Sequence, residues 1–185
     1  TGMDNVRGVM TCPVAGLNPD ELLDATQVVR SITEEILGNR EYTNLPRKFN
    51  VAVTGCPDNC LHMETQDLAL VPSCRGALIG FNVLAGGKLG SGGYRIATPL
   101  DIFVAPDEAV PVCRAIIQIF RDHGSRANRT QARLAFLLDE WGEGRFRQEV
   151  ETRVGKPLMS AGADARRPVE KSHVGIYRQK QTGMN

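Results

Sequence analysis

At 185 residues the chain can bury one good core, or a large part of a bigger one. Its composition, 42% hydrophobic and 23% charged, is that of an ordinary soluble globular protein, and a formal net charge of +1 provides no whole-molecule field for nucleic acid. Aromatics at 5% weaken a base-stacking role, and no run approaches the ~20 apolar residues of a membrane helix.

Five cysteines, an odd number, without a secretory signal argue for reduced thiols in a cytoplasmic protein. The sequon Asn128-Arg129-Thr130 then carries no meaning as a glycosylation site. The chain opens at Thr1 inside what looks like a motif and closes on Lys180–Asn185 without a helix stop. It therefore reads as a segment cut from a longer polypeptide.

Residues 1–17, rich in Gly, Pro and Val, read as a structured loop. Asn18-Pro19-Asp20-Glu21 has the form of a helix start, with a capping Asn, Pro in the first turn and acids at the positive end of the dipole. That helix is expected to reach Leu37, stopped by Gly38-Asn39, with Val28, Val29, Ile32, Ile36 and Leu37 on one face. Strands are expected at Phe49–Val53, Leu68–Val71, Ala77–Leu84 and Ile102–Val104, with Gly86–Gly93 as a loop or bulged turn.

Helices follow. One starts at Asp107-Glu108 and ends near Gly124, burying Val112, Ile116, Ile119 and Phe120. A second runs from about Asn128 through Leu134, Leu137, Leu138 and Trp141. A third spans roughly Glu143 to Val154. Residues 155–172 read as a Gly/Pro/Ala linker, and His173-Val174-Gly175-Ile176-Tyr177 as the first strand of a following unit. Strands clustered before helices give an α+β fold.

Arg47-Lys48 stand at the entrance of the Phe49–Val53 run, and Arg7 lies among small and polar residues. On spacing alone two solvated cations are the commoner reading. The alternative is a charged wall for an anion, with arginine gripping a carboxylate through two hydrogen bonds and lysine acting as point charge and proton donor. Cys56-Pro57-Asp58-Asn59-Cys60 has the look of half a metal site, with Cys12 as a possible third thiolate and His62 as a possible nitrogen ligand. The other ligands are missing locally, so no metal ligand is assigned. Cys74 follows a strand, and Cys113 falls inside a helix as a small buried thiol. Lys88 lacks the spacing of a phosphate loop, and close approach to a flat cofactor is the functional alternative for the Gly86–Gly93 turn. His62, His123 and His173 form no pattern, and Trp141 reads as core.

Several segments, in order and spacing, resemble the sirohaem-dependent nitrite and sulfite reductases. They are Thr1–Arg7 with Pro13-Val14-Ala15-Gly16, Asn44–Asn50, Asp67-Leu68-Ala69, Gly80–Gly87, Arg121–Gly124 and Phe146–Val150. The resemblance runs from the first residue to about 154 and resumes at Val174–Gln181. It implies a mixed, largely antiparallel sheet flanked by helices, with 1–154 as a sirohaem- and substrate-binding half, 155–172 as linker and 173–185 as the start of a ferredoxin-like half-domain.

By the same resemblance Arg7 and Lys48 would be catalytic, holding the oxyanion and delivering charge and protons. Arg47 would neutralise sirohaem carboxylates, and Asn5, Asn50, Gly86, Gly87 and Lys88 would line the macrocycle. A [4Fe-4S] cluster is implied, but the paired-cysteine pattern that ligates it is incomplete here. Cys56 and Cys60 then read as remnants of the duplicated half, with the working ligands outside this chain and the segment inactive alone. Sulfite-reducing relatives tend to have lysine at position 50. Asn50 removes one cation, which suits the nitrite monoanion over the sulfite dianion. The implied activity is reduction of nitrite to ammonia with six electrons from ferredoxin. A sulfite reductase segment, or a redox module on Cys56 and Cys60, are the alternatives.

Overall fold

A computed structural model describes residues 4–90, 93–168 and 173–181. Thr1–Met3 of the first motif, Ser91 and Gly92 of the glycine-rich loop, residues 169–172 and the last four residues lie outside the described set.

The strands are β1 (Val6–Met10), β2 (Phe49–Val53), β3 (Leu68–Arg75), β4 (Leu78–Ala85), β5 (Thr98–Val104) and a short β6 (Ala163–Asp164). They form one sheet in the order β1-β2-β3-β4-β5, with β6 pairing β3 beyond the register of β2. The pairs β1–β2 and β2–β3 are parallel, and the other three are antiparallel. Three helices, α1 (Thr26–Ile36), α2 (Ala109–His123) and α3 (Leu134–Val154), supply the second layer.

Strand alternation divides the sheet's two faces. Phe49, Val51, Val53, Leu68, Leu70, Phe81, Val83, Ile102 and Val104 join Val28, Ile32, Ile116, Phe120, Leu137 and Phe146 of the helices in the main core. Ala52, Ala69, Val71 and Leu84 point the other way, into a smaller cluster closed by Met63 and Ala97. β3 is buried on both faces, which is why Leu68–Val71 reads as an unbroken apolar run. The α+β architecture and its largely antiparallel sheet are as expected. Among the described residues no helix is long and apolar enough to cross a membrane.

Five expectations are corrected. The loop expected at 1–17 contains β1, because Val6 and Val9 can pack on the main core once β2 offers its edge. The first helix starts at Thr26, not at Asn18, and Leu37 is 79% exposed. Asn18 Oδ1 does accept from Asp20 N at 3.0 Å, but its amide nitrogen donates to Cys56 Sγ and Asp58 Oδ2, both at 3.0 Å, and no helix follows it directly. The stretch read as a linker is packed: Leu158 is buried, Phe103 N donates to Met159 O at 2.8 Å, and β6 joins the sheet. Residues 173–181 form no strand, and Lys180 N donates instead to Leu17 O at 2.7 Å. The two expected C-terminal helices meet end to end in α3, at a non-helical Gly142.

Gly55 has a reason the sequence hides. A Cβ there would lie 1.8 Å from the Leu23 carbonyl oxygen, so only glycine lets the chain after β2 touch residues 22–23. Leu22 N donates to Gly55 O at 2.9 Å, and this contact sets Asn18 beside Cys56.

Candidate functional site

The parallel pairing of β1 with β2 sets Val6 opposite Phe49, with an irregularity between Val6 and Gly8 that falls at Arg7. A bulge of this kind re-aims a side chain. Leu45 N donates to Asp4 O and Phe49 N to Asn5 O, at 2.8 and 3.0 Å, clamping the two cationic segments together. Arg7, Arg47 and Lys48 consequently line one cavity of about 250 Å³ with Leu89, Gly90, Arg129, Thr130 and Arg133.

Five cations and no carboxylate are among the lining residues; the acids stand behind them. Asp4 pairs with Arg129 at 3.2 Å and, more loosely, with Arg47 at 4.0 Å. Asp67, fully buried, accepts from Arg133 Nε and Nη2 at 2.8 and 2.7 Å and from Asn50 N at 2.9 Å. Burial pushes the Asp67 carboxyl up, and Arg133 pulls it back. Burial first, then Arg133 and Arg7, holds the Lys48 ammonium below its ordinary pKa. An ammonium so crowded gains by meeting an anion, and it gives up a proton more readily than a solvated lysine. Arg133 also stands at the N-terminal boundary of α3, which sets the positive end of that helix beside the same cavity.

Three of the eight residues singled out from sequence thus converge. Asn5 sits at the clamp, with Oδ1 buried and without a hydrogen-bond partner among the described residues. Asn50 is held through its backbone by Asp67, off the cavity wall. Gly86 and Gly87 make their close approach to the protein itself. Added Cβ atoms would lie 2.6 Å from Leu138 Cδ1 and 2.5 Å from the Glu64 and Gln66 carbonyl oxygens. Lys88 is buried with its ammonium 4.7 Å from the Phe136 ring centroid. Sequence reading missed Arg129, Thr130 and Arg133. Their signal is a pair of arginines four apart at the head of the helix expected from about Asn128.

A second cluster lies elsewhere. Cys12 Sγ is 3.4 Å from His173 Nε2 and 3.6 Å from Cys60 Sγ, and Cys56 joins Cys12 and His173 within 4.8 Å. His173, not the exposed His62, is the histidine beside the thiols. Contact with Cys12 lowers Cys60, while Cys56 is raised by its contact with Cys12 and then by burial. Cys113 is a buried helix thiol, pushed up to about 12 by desolvation alone. A hollow of about 670 Å³ lies between His123, Trp141 and the later part of α3, among ion-paired surface side chains.

Residues 2–158 match the family described as the nitrite and sulphite reductase 4Fe-4S domain. The chain belongs to that family. It is 43% identical over 190 residues to the ferredoxin–nitrite reductase of Leptolyngbya laminosa, covering all of this chain and 37% of that protein. It is 37% identical over 195 residues to the assimilatory ferredoxin-dependent nitrite reductase of Haloferax mediterranei, covering 96% and 33%. The solved structure of the Mycobacterium tuberculosis NirA protein superposes with a TM-score of 0.90 at 33% identity, over 96% of this chain and 32% of that one. Dissimilatory sulfite reductase I shares the fold, at a TM-score of 0.67 and 14% identity. The chain spans about a third of the length of the curated relatives it matches.

Proposed function

We propose that this chain is the anion-pocket part of a sirohaem- and [4Fe-4S]-containing nitrite reductase that converts nitrite to ammonia with electrons from ferredoxin in the cytoplasm. The supporting observation is the convergence of five cations from three separate stretches on one small cavity. The family match and the names of the relatives support nitrite as substrate and ferredoxin as donor.

The residues present fit a polycarboxylate macrocycle with a small oxyanion above it. Guanidiniums suit carboxylates, which they can grip through two parallel hydrogen bonds, and four of them line this cavity with one ammonium. Sirohaem, when bound, supplies an iron for the nitrite and a route for six electrons. The chain's own residues bind and protonate. Arg7 and Lys48 hold the anion, and Lys48 passes a proton to an oxygen as a nitrogen–oxygen bond breaks. Arg47, Arg129 and Arg133 balance negative charge, and Asp4 and Asp67 keep those guanidiniums oriented. Overall, nitrite takes six electrons and eight protons to give ammonium and two waters. The cluster ligands are assigned outside this chain, with the remainder of the same polypeptide completing the site.

Nitrite is favoured over sulfite because Asn50 follows Lys48 by one strand alternation, just off the cavity wall, where the longer side chain of a lysine would bring a third cation toward Arg47 and Lys48. In the full-length enzyme Asn50→Lys is expected to shift the ratio of sulfite to nitrite kcat/KM toward sulfite by about 10-fold or more, equivalent to ~1.4 kcal/mol. A ratio unchanged within about twofold would remove Asn50 from the selectivity argument.

A further inference from the structure

Cys12 follows β1, Cys56 follows β2 and His173 comes from the far C-terminal stretch, yet their ligand atoms gather within 4.8 Å. The detailed spacing is informative. With Zn–S near 2.3 Å and Zn–N near 2.0–2.1 Å, a tetrahedral zinc keeps two sulfurs about 3.8 Å apart and a sulfur and nitrogen about 3.5 Å apart. Cys12 lies 3.6 Å from Cys60 Sγ and 3.4 Å from His173 Nε2. Both contacts have the length of a tetrahedron's edge. They are too short for a four-iron cubane, which spreads its thiolates to the corners of a much wider tetrahedron.

We propose that Cys12, Cys56 and His173 form a mononuclear zinc site separate from the anion pocket and from any iron–sulfur cluster, with Cys60, which touches Cys12 but stands outside the group of three, turning in as fourth ligand. Three thiols and an imidazole are a donor set that selects zinc under reducing conditions. The surroundings are built for a metal-bound thiolate. Asn18 Nδ2 donates to Cys56 Sγ at 3.0 Å, and the same amide is fixed by Asp58 Oδ2 at 3.0 Å. Asp58, itself fully buried, is paired with Arg167, which also binds Asp20 at 2.8 Å. Donors to the ligand sulfur and carboxylates that orient those donors are what a metal centre needs around it. Binding replaces the thiol protons with one divalent ion, released protons passing to solvent, and no redox step is involved. The ion would staple residues 173–181 to 12–21, a junction that Lys180 N on Leu17 O and Lys180 with Glu21 at 3.2 Å also help to hold.

The test is elemental analysis of the full-length polypeptide carrying this chain, purified in reductant, zinc-loaded and dialysed. About one zinc per polypeptide is expected, with tetrahedral sulfur-to-metal bands after cobalt exchange. Cys12→Ser and Cys56→Ser are expected to lose the zinc while keeping sirohaem absorbance and iron content. His173→Ala, a change outside the core, is expected to weaken zinc by more than the roughly 10–100-fold that loss of an outer partner costs. Zinc-free wild-type protein after loading, with or without a Cys12–Cys60 disulfide, would overturn the proposal. So would zinc that survives His173→Ala and Cys12→Ser unchanged. Neither outcome touches the nitrite reading, which is read from sirohaem content and turnover.

Discussion

Lys48→Met in the full-length enzyme is expected to lower kcat/KM for nitrite by about 100-fold or more, the cost of removing one charge-stabilising donor from a water-poor site. Sirohaem content and the thermal midpoint are expected to hold. The ammonium is already crowded by Arg133 and Arg7, and methionine keeps the stem while relieving that repulsion. Wild-type turnover should also fall as pH rises through the lowered pKa of Lys48, because only the charged form holds an anion and donates a proton. Lys48→Met should lose that alkaline limb. Turnover within about threefold of wild type would take Lys48 out of the chemistry.

Asp67→Ala is expected to be the most damaging substitution to the fold. It strands Arg133 and the Asn50 N–H, both of which end on the buried carboxylate. Breaking one partner of a buried pair costs about 3–5 kcal/mol, a large share of the ~5–15 kcal/mol of a typical domain. Asp67→Asn keeps the acceptor for Asn50 N and loses the charge, so it should fall between the two. Chemical denaturation measures both. A loss below about 1 kcal/mol for Asp67→Ala would mean that the pair is not what holds the cavity wall.

The fold was legible where period and punctuation agreed. Phe49–Val53 alternates and is β2 to the residue, Gly38 closes α1, and Gly124 follows α2. It was illegible where a distant partner outbid a local signal. Asn18 has every mark of a helix cap and accepts from Asp20 N, yet Cys56 and Asp58 hold its amide nitrogen and the helix begins only at Thr26. β1 reads as loop because its pairing with β2 is parallel and separated by some forty residues, which no local pattern records. In the site, Arg7, Arg47 and Lys48 were found through a family resemblance, not through their spacing. Their meeting depends on β1–β2 register, which sequence alone did not supply. Arg129 and Arg133 needed the helix α3 to be docked before they could count. The thiols were noticed, but with the wrong histidine, since His62 is near in sequence and His173 is near in space.

The claim at the centre is that Arg7 and Lys48 act on the same small anion, and a double-mutant cycle on nitrite kcat/KM tests it most directly. Arg7→Met, Lys48→Met and the double variant, compared in the full-length enzyme with sirohaem content matched, give the coupling between them. Groups sharing one anion should show an interaction energy of at least ~1 kcal/mol. Losses that simply add, within about 0.3–0.5 kcal/mol, would mean that the two cations serve different ends and that the cavity is not a common anion site.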